Sequence, residues 1–520
     1  MSGAAPHIAI VGGGTAGWLA AHMLRRLSRE TDTACRLTVI EDPDIPTIGV
    51  GEGTTSVFRD VLLDLGFDEF EFMRETGATI KYGIRHIGWG ARSSGPGSDY
   101  LGPIDDPHQL TPDPTGQGRP WLHYSAIAAG QQAIRSHVFT PLMTGQRAPW
   151  AQQGGKLMPV SPYHHAYHFD QAKVGAFLRR KADGIEQVSS KVTGIEKDSG
   201  SGLVTALKCQ GQPDIAVDFV FDCTGFRRAL MTELGVSWHH YGSLLPLNRA
   251  MPFWLEHSEA GEIAPYTTAR ALRSGWMWQI PTADRLGCGY VYSDAHTTPE
   301  EAQREIEQVL GCRITPRADL AFKEGRLKQP WSGNCIALGL SQCFLEPLEA
   351  TSIHGTVVQL LLLGAGGFLA HLGGDISDLR ENYNQAVNQQ IDDFAQFINL
   401  HYAGGRRDSA FWQDMTECGI SDLNRDRLEL WSNEAPIRAH FPTLPAGLPH
   451  VQEQLYMPVL DGLGLLPKAP CKAALTRTAG MARAARLQRE DNREQFRKIS
   501  AKALGHREFL TRLNSGDLPC

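Results

Sequence analysis

One lysine stands alone in the stretch GATIKYGIRHIGWG, Gly77 to Gly90, with no acidic residue beside it. A lone lysine among apolar residues ordinarily lays its stem along the core and keeps its ammonium in water. Lys81 therefore poses a choice between a surface cation and an isolated ammonium the chain puts to use. A second constellation is Gly12, Gly14 and Gly17 in IVGGGTAGW, which fit G-x-G-x-x-G. The first glycine permits a tight turn, the second lets backbone approach a pyrophosphate, and the third lets helix pack on strand. Thr15 and Ala16 then open the helix whose N-terminus faces phosphate charge, and Glu41 ends the next apolar strand with a carboxylate suited to a ribose hydroxyl. A third is EATSIHGTVVQLLLL, where a helix starts after a loop, so the N–H groups of Thr351 and Ser352 form a small anion nest. His164, His165 and His168 do not read as a metal site, because adjacent residues cannot share one face and no acidic cluster accompanies them.

The elements that must position these groups follow from pattern. HIAIVGGGTAGWLAAHMLRRLS reads as strand, turn, helix, and RLTVIEDP as the next strand of a βαβ unit. YHFDQAKVGAFLRRKADG starts a helix, and GWMWQIPTADRLGCGYVYSD is two strands about a turn. From about 91 to 155 the chain is dense in Gly, Pro, Ser and Asp, which predicts a long surface insertion rather than repeated secondary structure. From about Ser377 onward it is helix-rich. YHFD, FDCTGF and GNCIALGLSQCFLEPLEA suggest a chain returning repeatedly to one long cofactor, which favours FAD over NAD.

Composition narrows the class. The 520 residues are 42% hydrophobic and 21% charged, ordinary for a globular protein. A net charge of −7 argues against a nucleic-acid partner, since phosphate binding wants a basic face. The ten cysteines form no CxxC pair, which predicts reduced thiols in a reducing compartment. The N-terminus runs straight into a strand without a signal-peptide pattern, and TVVQLLLLGAGGFLAHL is too short and interrupted for a membrane span. The expectation is a cytoplasmic protein without a membrane partner.

Six stretches now combine: GGGTAGW, IGVGEGTT, Lys81 some thirty residues later, YHFD, GWMWQIP and FLEPLEATSIHG. In that order they resemble the flavin-dependent tryptophan halogenases, over about Ile8 to Gly366. The W-x-W-x-I-P signature is Trp276, Trp278, Ile280 and Pro281, and F-x-x-P-x-x-x-x-S-x-x-G is Phe344, Pro347, Ser352 and Gly355. The resemblance implies an α/β, FAD-binding, glutathione-reductase-like monooxygenase-type fold with an added helical substrate domain. On that reading, 1–375 form the FAD-binding body with the insertion, and 376–520 a helical cover.

The resemblance also implies a two-component enzyme. A separate flavin reductase supplies reduced FAD, chloride or bromide is oxidised to hypohalous acid, and a lysine directs halogenation of an electron-rich arene, here an indole. Lys81 and Glu349 match the catalytic lysine and glutamate, and Thr351 and Ser352 the halide site. Gly49, Val50, Gly51, Val192, Leu340 and Ile353 match flavin contacts, beside the glycine motif. Trp276 and Trp278 match residues that line the region between flavin and lysine. Two positions depart from the family pattern: Ala350 stands where tryptophan-specific members carry Ser, and Ser352 where Gly is usual. A single-component FAD-dependent aromatic hydroxylase of the same fold is the alternative, and a homodimer is left open.

Overall fold

A computed structural model describes residues 5–45, 51–91, 99–104, 119–132, 139–160, 165–258 and 261–516. The nucleotide-binding layer is a six-stranded sheet in the order Glu186–Ser189, Arg36–Glu41, His7–Val11, Phe219–Asp222, Cys335–Ala337, Trp331–Ser332. Its first four pairings are parallel, and its central strands are buried, as βαβ crossovers demand. Helix Thr15–Glu30 packs against the helices Gln171–Arg180 and Thr351–Ala365. Asp170, the last residue of YHFD, caps the second of these by accepting from the amides of Ala172 and Lys173 at 2.9 and 3.4 Å, a cap worth about 1 kcal/mol. The apolar window Leu348–Ala365 has the length and composition to cross a membrane, yet 61% of it is packed inside this core.

A second sheet of seven strands carries the tryptophan signature. Its order is Leu320–Ala321, Arg249–Leu255, Leu286–Tyr292, Gly275–Pro281, Thr267–Leu272, Gly83–Ile87, Asp99–Pro103. A small third sheet sets Ala166–Phe169 between Glu52–Gly53 and Thr79–Lys81. This last sheet brings the IGVGEGTT segment beside the lysine. The nine cysteines among the described residues are all free.

The stretch predicted as a surface insertion departs from that expectation. Asp99–Pro103 is an edge strand of the seven-stranded sheet, and Trp121–Ala128 is a helix with seven of its eight residues buried. That helix packs against two C-terminal helices, Lys468–Arg477 and Met481–Lys502. A helix apolar on every face shows no amphipathic stripe, and the Gly/Pro-rich average around WLHYSAIA hid it. Burial of Trp121, Leu122, Tyr124 and Ile127 stabilises the contact by roughly 1.5–3 kcal/mol per large side chain.

The helix-rich end of the chain reaches back to the lysine strand. His506, fully buried at the start of helix His506–Ser515, accepts a hydrogen bond from the Ile80 amide through Nε2 at 3.1 Å. Its Nδ1–H donates to the Ile263 carbonyl at 2.8 Å. Both ring nitrogens are thus committed to backbone, one of them the residue before Lys81. His506→Ala leaves two buried backbone groups unpartnered, an expected loss of about 2–4 kcal/mol. Urea unfolding reads that loss, and a change below about 1 kcal/mol would contradict the tether.

Candidate active site

The glycine turn is shaped as its spacing predicts. Gly12 has φ +119° and lies against the carbonyl of Cys223, while Gly17 lies against the carbonyl of Gly12, so a side chain at either would collide with backbone. Gly14 differs: a Cβ there would meet nothing within 4 Å, and helix Thr15–Glu30 begins after it with no side-chain cap. The result is an open mouth lined by free helical N–H groups, which fits a dinucleotide pyrophosphate. Glu41 ends its strand beside Gly13 and pairs with Arg179. Val192 begins strand Val192–Lys197, half-buried, and Leu340 sits in the turn Gly339–Ser341. Gly49 and Val50 lie outside the described residues. Gly51 has φ +76° and faces Ile280 of the signature strand.

Lys81 is 1% exposed. Its Nζ donates to the Thr54 carbonyl at 2.8 Å, across the small sheet. Gly53 makes room, since a Cβ there would stand 2.9 Å from Nζ. Burial pushes the ammonium down from its ordinary 10.5 to about 8, while the Glu349 carboxylate pulls the other way. One carbonyl is a thin partner set for a buried cation with three protons to donate. The group is poised to donate to something else.

Glu349 follows Leu348 in a turn that forces two consecutive non-glycine residues into the left-handed region, Glu349 at φ 65° and Ala350 at φ 55°. Such backbone costs of order 1 kcal/mol per residue and persists where surroundings over-determine it. It turns the carboxylate toward two histidines. His401 Nε2 stands 3.1 Å and His86 Nε2 3.2 Å from Oε1. Burial opposes ionisation of Glu349, but the two imidazoles outweigh it and hold the carboxyl well below the usual range. Helix Thr351–Ala365 starts directly after the turn with no side-chain cap, leaving the amides of its first turn open. Thr351 is buried, Ile353 is 5% exposed, and Ser352 takes ordinary helical backbone. The positive φ falls on Glu349 and Ala350, so serine is accommodated where glycine is usual.

Trp276 and Trp278 are 1% and 6% exposed on strand Gly275–Pro281, with ring centroids 6.4 Å apart. The Trp276 indole donates to Glu346 at 3.2 Å, and the Tyr402 hydroxyl donates to the same oxygen at 2.6 Å. Burial raises Glu346 to about 7, against those hydrogen bonds. Trp89 bridges the clusters, its ring 6.1 Å from Trp276 and 5.9 Å from His401. Phe344 packs between Phe226 and Phe322 at 5.0 and 4.8 Å, and Pro347 is exposed. Sequence reasoning did not single out Thr54, His86, His401 or Glu346. The last lies three residues before Glu349 in the same motif, and His86 lies in the stretch that raised Lys81. Of the histidines weighed for metal, His164 lies outside the described residues. His165 meets Glu69 at 2.8 Å and His168 meets Thr267 at 2.9 Å, two separate partners.

The family described as tryptophan halogenase matches residues 7–477 of this chain. The tryptophan 7-halogenase of Lentzea aerocolonigenes is 31% identical over 515 residues, spanning 90% of this chain and 92% of its own. The tryptophan 6-halogenase of Streptomyces albogriseolus is 30% identical over 505 residues, spanning 92% and 93%. Among solved structures, a tryptophan halogenase from Shewanella frigidimarina superposes with TM-score 0.87 at 27% identity, covering 99% of this chain and 98% of its own. A flavin-dependent halogenase from Brevundimonas gives 0.82 at 28%, covering 99% of each.

The lysine's environment makes stability depend on pH. Between about pH 8 and pH 10.5 the unfolded chain binds a proton at Lys81 that the fold does not. Stability therefore rises across that window, and the burial cost is fully present below it. Lys81→Met is expected to be more stable than the parent near neutral pH, by about 1–3 kcal/mol. The gap should close as pH climbs toward 10.5. Urea unfolding at both ends of the window checks it, and a gap independent of pH would refute a charged, desolvated Lys81.

Proposed function

The chain belongs to the tryptophan halogenase family and is a flavin-dependent halogenase, and we propose that it halogenates an indole-type arene with an oxidant aimed by Lys81. FAD would be held by Gly12, Gly14, Thr15, Ala16, Gly17 and Glu41, with Gly51, Val192, Leu340 and Ile353 as further contacts. Reduced FAD, when bound, supplies with oxygen the oxidising equivalents that turn chloride or bromide into hypohalous acid. A separate flavin reductase provides the reduced form. The open amides of Thr351 and Ser352 hold the halide.

The observation that carries this reading is the buried Lys81 ammonium, satisfied by one carbonyl and within the field of Glu349. In water, hypohalous acid attacks any thiol or arene it meets. In a dry pocket one ammonium donor can hold its oxygen and present the halogen outward. The arene carbon then bonds to halogen as the halogen–oxygen bond breaks, and the oxygen leaves as water with a proton from Lys81. The ring proton passes to the Glu349 carboxylate and returns to the amine, so arene and hypohalous acid become haloarene and water. The imidazoles that hold Glu349 ionised also weaken it as a base, yet the ring proton of a halogenated arenium is acidic enough to pass to it. Trp276 and Trp278 wall the flavin side from the arene.

The curated relatives named above act, by their names, on tryptophan. With a flavin reductase, NADH, FAD, oxygen and bromide, the protein is expected to yield bromoindole by mass spectrometry. Lys81→Ala should abolish product while FAD still binds, and Glu349→Gln should lower turnover roughly 10- to 1,000-fold. Absence of halogenated product across a panel of arenes, or an active Lys81→Ala enzyme, would overturn the reading.

A further inference from the structure

His86, Glu349 and His401 arrive from three distant elements: strand Gly83–Ile87, the turn Leu348–Ala350 and the end of helix Ser377–His401. One nitrogen of each histidine and one oxygen of the carboxylate lie within 4.8 Å of one another. Both imidazoles are fully buried and the carboxylate is 11% exposed. The ring of His86 stacks on Tyr100 at 4.5 Å and 9°, its cross-strand partner, so it cannot turn away. Yet neither nitrogen of that ring has a hydrogen-bond partner, and Nε2 stands 3.2 Å from Glu349 without lining up to donate. An unpartnered buried polar group costs about 1–3 kcal/mol.

His401 carries the complementary clue. Its Nδ1–H donates to the Phe397 carbonyl at 2.9 Å, which directs Nε2 at Glu349. With an acceptor facing each nitrogen, the ring needs either a second proton at Nε2 or a cation in its place. A carbonyl holding one nitrogen while the other points at an ion is how metal-binding histidines are fixed. Ligand atoms at 2.0–2.1 Å from a tetrahedral ion stand roughly 3.3 Å apart; here each nitrogen stands 3.1 or 3.2 Å from the carboxylate oxygen, and the two nitrogens lie within 4.8 Å of each other. Two imidazoles and a carboxylate suit zinc and its neighbours, with one position left open.

We propose that His86, Glu349 and His401 form a binding site for a zinc-type divalent ion, and that filling it silences halogenation by occupying the carboxylate. The second half rests on the function proposed above, and the first half does not. Binding changes no oxidation state. The groups facing Glu349 from every packed element are Lys81, His86, Tyr100 and His401.

Cobalt(II) titrated into the full-length protein tests the site without reference to activity. One ion per chain is expected, with the strong visible bands of a four-coordinate centre. His86→Gln and His401→Gln should each weaken binding at least tenfold, with far-UV circular dichroism confirming the fold. Calorimetry with zinc on the unaltered protein should show the same single saturable site. No saturable binding, or binding untouched by both substitutions, would overturn the site. In the product assay, zinc should abolish bromoindole with the midpoint at which it binds, while the reductase keeps consuming NADH. Full product at saturating zinc would overturn the silencing. If no arene is halogenated even without zinc, the functional reading fails, and cobalt still decides the site.

Discussion

A charged amine kept out of water is the constraint around which the rest is arranged. Lys81 loses hydration and recovers one hydrogen bond, to Thr54. Placing it needs a glycine at 53, a three-stranded sheet assembled from three separate segments, and a histidine from the far end of the chain. None of these stabilises the ammonium enough to leave it indifferent to a guest. A buried group that stays under-satisfied is expensive in the resting state and useful in the reacting one. Glu349 shows the opposite treatment: it sits in unfavourable backbone but faces two imidazoles, one of them hydrogen-bonded to it, and its carboxyl is held well below the usual range. The pair therefore divides labour between a reluctant cation and a settled anion.

The aromatic residues have a different task. Trp276, Trp89, Tyr402 and Trp412 pack in one continuous group of tilted rings, with one edge-to-face pair and ring separations near 6 Å. Large rigid rings exclude water over much area while losing little conformational freedom. Glu346 is the one carboxyl set into that group, and it orients two of its members by accepting from both. The wall is thus pinned by a polar post, which keeps indole rings from sliding over one another.

Much of this was legible in the sequence, for physical reasons. The glycine turn is readable because its conformation excludes other residues. The strands and helices around YHFD and GWMWQIP follow from apolar period and a capping aspartate. What escaped was whatever depends on three-dimensional meeting. His86 and Tyr100 become neighbours by strand register, and His401 reaches Glu349 across 52 positions. The helix Trp121–Ala128 escaped because its burial is complete on all sides, which erases the stripe that sequence reading relies on. Local rules gave the cradle and the backbone of the site, and tertiary contacts gave its electrostatics.

The His506 tether bears on how the protein is made. Ile80 and His506 are 426 residues apart. At ribosomal rates of 5–20 residues per second, the lysine strand waits roughly 20–90 s for its last hydrogen-bond partner to be synthesised. A nascent chain can complete its nucleotide sheet once Ala337 has emerged, but the lysine strand gains this tether only after His506 has been made.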